Sequence, residues 1–138
     1  MTLFSWCRRH RTLPKLLLPL FLAGLLAGCN RETKKVDYYQ KGETYLAEKK
    51  YGEAMIEFRN AIWADPKNAK AYYKLALTNL VTGGYREAYA ALNKSLELDA
   101  NQNDVRIQLG RLFFLFRSPQ KAREQAELVL KADPNYPG

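Results

Sequence analysis

The 138-residue chain has the length of one domain, and its 47% hydrophobic and 26% charged residues are those of a foldable protein, which excludes a disordered chain. The formal charge of +8 invites a nucleic-acid reading, but Arg8, Arg9, Arg11 and Lys15 lie in a segment expected to be removed. That leaves 18 basic against 14 acidic residues, or +4, spread along helices with no arginine-rich stripe, so nucleic acid is not expected as a partner.

Residues 1–28 read as an address. Met1 to Lys15 carries four basic residues and no acid, and Leu16 to Gly28 is apolar throughout, the n-region and h-region of a secretory signal. Thirteen residues at a helical rise span roughly 20 Å, short of the hydrocarbon core, and Pro19 interrupts them, so a stable transmembrane helix is the weaker reading. Arg8-Arg9 suggests twin-arginine export, which His10-Arg11-Thr12-Leu13 fits poorly. The segment ends Leu26-Ala27-Gly28-Cys29, which resembles the lipobox of bacterial lipoproteins. The resemblance implies cleavage before Cys29, a thioether lipid on its sulfur (the palmitate-type acyl anchor of the family) and acylation of the new amino group. Several acyl chains suffice to hold a soluble domain at a bilayer. Asn30, where an aspartate is lacking, goes in that family with the periplasmic face of the outer membrane. An ordinary signal or uncleaved anchor with an incidental cysteine is the alternative. Since Cys7 and Cys29 both precede residue 30, no disulfide framework is implied for the rest of the chain.

Residues 29–34 are read as the lipidated cysteine and a polar tether, with helical periodicity beginning at Val36 and running through Tyr38, Tyr39, Gly42, Tyr45 and Leu46 until Lys49-Lys50 closes the first helix. A second helix is predicted from about Gly52 to Ala64, with Ala54, Ile56, Phe58, Ala61 and Ile62 on one side, and Pro66 stops it. Asn68 is the expected N-cap of a third, Ala69 to Thr82, which carries Tyr72, Leu75, Ala76 and Leu80 and ends at the left-handed turn Gly83-Gly84. The fourth runs from Tyr85 to Leu98. Asn103 is the expected cap of the fifth, which carries Ile107, Leu109, Gly110, Phe113 and Phe114. Ser118-Pro119 suits the N-cap and first position of the sixth, which reaches Ala132.

These elements repeat. Ala54, Ala88 and Ala122 stand 34 residues apart, as do Asp65, Asp99 and Asp133, and a period of that length signals stacked units. The chain resembles the tetratricopeptide-repeat family, with units at 35–68, 69–102 and a divergent third at 103–136. The first keeps Tyr38, Gly42, Tyr45, Ala54, Phe58, Ala61 and Pro66; the second has Ala100 for the proline; the third has Arg106 where an aromatic is common and Ala126 where a larger apolar residue is usual. The fold implied is all-α, a right-handed α-solenoid of three helix-turn-helix repeats after the signal segment. Glycine or alanine at 42, 76 and 110 and alanine at 54, 88 and 122 leave room for close helix approach. Such arrays usually end in an extra helix with a polar face. Only Asn135-Tyr136-Pro137-Gly138 follow Pro134, so a longer natural product, or a partner covering Leu128, Val129 and Leu130, is expected.

Catalysis is not expected. The sole histidine, His10, lies in the removed segment and Cys29 would be blocked by lipid, so Ser-His and Cys-His nucleophiles and Cys/His metal sites are lacking. No phosphate-cradling loop occurs, and no cofactor or small-molecule substrate is called for. Glu53 and Glu57, one turn apart, read as a solvated helix face. The resemblance instead implies a concave surface built by the first helix of each unit: Tyr39 and Glu43; Lys70, Tyr73, Lys74 and Leu77; Asp104, Ile107, Gln108 and Arg111. Tyr39, Tyr73 and Ile107 would form a ladder, with Leu80 and Phe114 deeper, and tyrosines suit peptide or helix capture. Packing against a neighbouring loop is the structural alternative. The lysine, asparagine and arginine clamp with which some members grip a terminal carboxylate is not matched by Tyr39, Glu43, Lys74, Asp104 and Gln108. The reading is a lipid-anchored scaffold of the bacterial envelope that docks a protein or peptide, similar to repeat lipoproteins that assist secretion, pilus or exopolysaccharide assembly. The alternatives are the docking end of a larger enzyme or secretion component continuing beyond Gly138, and self-association through the last helix.

Overall fold

Among the described residues of the computed structural model six α-helices succeed one another, with no strand: α1 (Asn30–Ala47), α2 (Tyr51–Ala64), α3 (Ala69–Val81), α4 (Tyr85–Leu98), α5 (Asn103–Leu115) and α6 (Pro119–Ala132). The structure describes residues 30–137, with side chains from Tyr38 onward; the signal segment and Cys29 lie outside the described residues. The chain divides after Glu32, and the repeats form the unit that begins at Thr33. Helix α1 starts earlier than the apolar period at Val36. Arg31–Lys35 contains only helix-tolerant residues, and apolar periodicity reports burial, so its absence does not end a helix. No helix of the described residues is long and apolar enough to cross a membrane.

The first helix of every unit ends in the same way. Lys49, Gly83 and Arg117, 34 residues apart, take φ of 59°, 82° and 55°. The next amide reaches back five residues: Lys50 N–H donates to the Tyr45 carbonyl at 2.9 Å, Gly84 to Asn79 at 2.8 Å and Ser118 to Phe113 at 2.8 Å. A second bond, spanning three residues, accompanies each, so all three are Schellman turns that satisfy the last carbonyls. Only Gly83 takes this left-handed conformation without steric cost.

The second helices also share an ending. Asp65, Asp99 and Asp133 are extended, and each carboxylate accepts from the amide two residues on, that of Lys67 (3.3 Å), Asn101 (3.0 Å) and Asn135 (3.0 Å). Asp99-Ala100 turns as Asp65-Pro66 does, so the aspartate shapes the turn and the proline is dispensable. Asn68 caps α3 as expected, accepting from the Ala71 amide at 3.0 Å. Asn103 does not cap α5. It is the first helical residue, and Gln102 stands at the N-cap with its amide already donating to the Ser95 and Asp99 carbonyls, both at 3.0 Å. Pro119 does open α6, although the Ser118 side chain makes no cap.

The core lies between the helices of each pair and between successive pairs. Ala54, Phe58 and Ala61 form the buried stripe of α2. Ile56, expected on that stripe, is 56% exposed because two residues along a helix turn it to the far side. In the first unit α1 presses on Phe58 so closely that a Cβ on Gly42 would stand 2.6 Å from its Cε1. In the second, Ala76, Ala88 and Leu92 are fully buried and meet Val105, Leu109 and Leu112 of α5, with Tyr73, Leu80 and Phe113 packed around them. Buried Ser95 ties α4 to the start of α3 within the second unit, its hydroxyl donating to the Ala69 carbonyl at 2.8 Å. In the third unit Ala126 stands where Phe58 and Leu92 stood. It is exposed, and a Cβ on Gly110 would come no nearer than 3.7 Å to any neighbour.

Two glycines at one repeat position should therefore respond oppositely. Gly42→Ala is expected to lower stability by about 1–3 kcal/mol through overpacking, with much of the loss recovered by adding Phe58→Leu, which recreates the Ala76–Leu92 pair. Gly110→Ala should raise stability by about 0.5–1 kcal/mol. Urea unfolding followed by circular dichroism measures both; equal destabilisation at the two sites would contradict the packing.

Candidate functional site

Helices α1, α3 and α5 are neighbours. A Glu43–Lys74 ion pair at 2.8 Å bridges α1 to α3, and a Tyr73–Gln108 hydrogen bond bridges α3 to α5. They bound a cavity of about 470 Å³ lined by Tyr39, Lys70, Tyr73, Lys74 and Asp104, by the turn Asn101–Asn103, and by Tyr136 from the segment after α6. Three phenols thus converge on one groove.

The rings are held in place by their neighbours. Tyr39 packs edge-to-face on Phe58 with centroids 5.9 Å apart, and its hydroxyl donates to Glu43. Burial, then the charge and hydrogen bond of Glu43, push its pKa up to about 12. Tyr73 is raised by burial and by the Asp104 carboxylate, against opposing pulls from Gln108 and Arg111. The Tyr136 hydroxyl donates to Asp104, and that bond holds its pKa up. At neutral pH all three are protonated, so the groove presents neutral aromatic faces and hydroxyls beside Lys70, Lys74 and Asp104. The Glu43–Lys74 pair is partly exposed and adds little stability, though it fixes where the ammonium points.

Of the residues expected to form the concave surface, Tyr39, Lys70, Tyr73, Lys74 and Asp104 line this cavity, while Glu43 and Gln108 stand behind it, holding Tyr39 and Tyr73. The ladder breaks at its third rung: Ile107 and Arg111 line a separate cavity with Gly110 and Phe114. Leu77 is half-buried and lines neither. Phe114, expected deep, is 71% exposed, since no described helix covers it as α5 covers its counterpart Leu80. Sequence reasoning missed Tyr136 and the turn Asn101–Asn103. Repeat register carried no signal for them, since Tyr136 follows α6 and Asn101 and Gln102 lie between α4 and α5, in connecting segments. Among the described residues no group of three or more His, Cys, Asp or Glu side chains converges to hold a metal.

Residues 38–68 and 69–102 match the family model for the tetratricopeptide repeat. These two segments are tetratricopeptide repeats. Solved tetratricopeptide-repeat structures share the fold: the first such domain of Spaghetti (RPAP3) bound to the HSP90 peptide SRMEEVD has a TM-score of 0.71 at 23% identity, covering 75% of this chain and 82% of that one. MamA has a TM-score of 0.69 at 23% identity, covering 83% of this chain and 66% of that one. Among curated proteins, the chain is 29% identical over 119 residues to DnaJ homolog subfamily C member 3 of Bos taurus, covering 86% of this chain and 23% of that protein. It is 30% identical over 96 residues to the Hsp70-Hsp90 organizing protein of Triticum aestivum, covering 70% of this chain and 16% of that one. The chain thus spans less than a quarter of the length of these curated relatives.

The raised Tyr39 pKa sets a testable pH window. A tyrosine in unfolded chain ionises near pH 10, so the contribution of protonated Tyr39 is complete below that pH and is lost as pH rises from there through about 12. Absorbance titration of the folded protein should contain a phenolate step near pH 12 that Tyr39→Phe removes. A difference between the two curves centred near pH 10 would contradict the placement of Tyr39 beside Glu43.

Proposed function

We propose that the protein is a non-enzymatic docking scaffold, held by lipid at Cys29 to the periplasmic face of the bacterial outer membrane, that takes a peptide or protein segment in the groove between α1, α3 and α5. The observation that carries this reading is the convergence of Tyr39, Tyr73 and Tyr136 with Lys70, Lys74 and Asp104 on one cavity. Tyrosine buries large area for little lost rotamer freedom and adds a hydroxyl, which suits capture of an extended chain or helix. Three solved structures of similar fold are bound to peptides ending in Glu-Glu-Val-Asp, which supports peptide docking by this architecture. This groove differs in charge: Glu43 neutralises Lys74, and Asp104 faces the cavity. Its partner therefore offers aromatic or apolar side chains and hydrogen-bond donors, without a terminal acidic run. Envelope residence rests on the signal-like segment and on Leu26-Ala27-Gly28-Cys29, and service to a secretion, pilus or exopolysaccharide assembly follows from that residence.

Photo-crosslinking in intact cells tests the groove. A photoreactive residue at Lys70 should trap a discrete partner that one at the exposed Glu87 of α4 does not, and Tyr73→Ala should reduce the yield at least several-fold. Equal trapping from both positions would reject the groove. The anchor is checked separately with radioactive fatty acid, which wild type should incorporate and Cys29→Ala should not; equal labelling would rule it out.

A further inference from the structure

The outer face of α2 holds two large apolar side chains in water: Ile56 is 56% and Trp63 82% exposed. Seven residues apart on one helix, they stand on the same side, about 10 Å from each other along the axis. Arg59 lies between them and Lys67 in the turn beyond, both exposed. The same positions of the second unit hold Ala90 and Glu97, the latter paired to Lys94 at 2.7 Å, and those of the third hold Glu124 and Lys131, all exposed. The second unit has a neighbour on either side and still leaves Ala90 and Glu97 in water, so no helix of the array covers this face. The groove does not use it either. Phe58, on the opposite side of α2, packs on Tyr39 of α1, so Ile56 and Trp63 point away from α1 and from the groove.

We infer that Ile56 and Trp63 lie in the headgroup region of a phospholipid bilayer, with Arg59 and Lys67 against its phosphates. This rests on the membrane residence proposed above and adds which face meets the membrane. Tryptophan suits that zone, because it joins a broad apolar ring to one N–H that water or phosphate can accept. The patch is only two side chains wide, with Arg59 and Asn60 between them, whereas a stable protein interface buries about 800 Å² on each partner. Charge agrees with lipid. Neither Arg59 nor Lys67 pairs with a carboxylate among the described residues. Glu53, the acid of this face, sits at its other end, where Lys50 feels its charge. The end that carries Trp63 is therefore cationic, as attraction to anionic headgroups requires. With this face on the bilayer the groove is turned away from lipid and stays free for a partner.

Tryptophan fluorescence decides the matter, since Trp6→Phe leaves Trp63 as the only tryptophan of the full chain. That variant is reconstituted in vesicles of phosphatidylethanolamine and phosphatidylglycerol, with and without bromine on the acyl chains. Bromine should quench Trp63 emission roughly twofold or more. Arg59→Glu with Lys67→Glu should remove most of the quenching, and a double reversal elsewhere, Arg111→Glu with Arg123→Glu, should keep it. Unquenched Trp63 overturns the inference; if the protein is nonetheless bound to the vesicles, the anchor stands without it. Cys29→Ala separates the two readings from the other side. Quenching that survives this variant supports the face independently of the lipid, and quenching lost with it supports a contact made under the tether. A photoreactive residue at Ile56 that traps a discrete protein in intact cells overturns the inference. So does a dimer in sedimentation equilibrium that Trp63→Ser dissolves, because the face would then belong to a second copy.

Discussion

Everything in this array depends on how closely the two helices of a unit approach, and one pair of positions sets that distance. The pair is Gly42 with Phe58, Ala76 with Leu92, and Gly110 with Ala126. In the first two units the summed bulk is nearly constant: the largest partner faces the smallest residue, and where alanine replaces glycine the partner shrinks to leucine. Close-packed interiors demand that compensation, because a single added methylene is felt as strain. The third unit breaks the rule by pairing small with small, and the missing volume reappears as the cavity floored by Gly110 and Ala126. That cavity is thus a direct consequence of the packing that builds the rest.

Much of the fold was legible because its determinants are local and recur. The alanines at 54, 88 and 122 announce the period, and all three prove buried. The turns were legible only in part. Gly83 reveals a left-handed residue by its type, whereas Lys49 and Arg117 adopt the same conformation with side chains that disguise it. What forces them is the pair of Schellman bonds, which belongs to the end of the helix and is blind to side chain. The Pro66 and Pro134 markers misdirect in the opposite sense: they draw the eye from Asp65, Asp99 and Asp133, whose carboxylates hold the turn even where Ala100 comes next.

The site was less legible because repeat register states which helix face a residue occupies and omits what covers that face. Register put Tyr39 and Tyr73 together correctly and placed Ile107 with them by the same arithmetic. The third rung fails because the cavity ahead of Tyr73 is closed by the Asn101–Asn103 turn and by Tyr136, which come from connecting segments that periodicity treats as punctuation. The same blindness put Phe114 in the interior: its counterpart Leu80 is covered by α5, and no described helix performs that service for Phe114.

The two cavities differ in how their polar groups are committed, and the difference separates what each can recognise. In the groove the phenols and charges are already tied to one another, Tyr39 to Glu43, Glu43 to Lys74, Tyr73 to Gln108, and Tyr136 to Asp104. An incoming chain there meets a preorganised surface whose hydrogen bonds it must match or exchange, so shape and donor placement govern the fit. Around the cavity between α5 and α6 the arginines have no carboxylate partners among the described residues and surround an apolar floor. Arg111 stands between the two, close enough to Tyr73 to oppose the rise in its pKa and at the same time on the rim of that cavity.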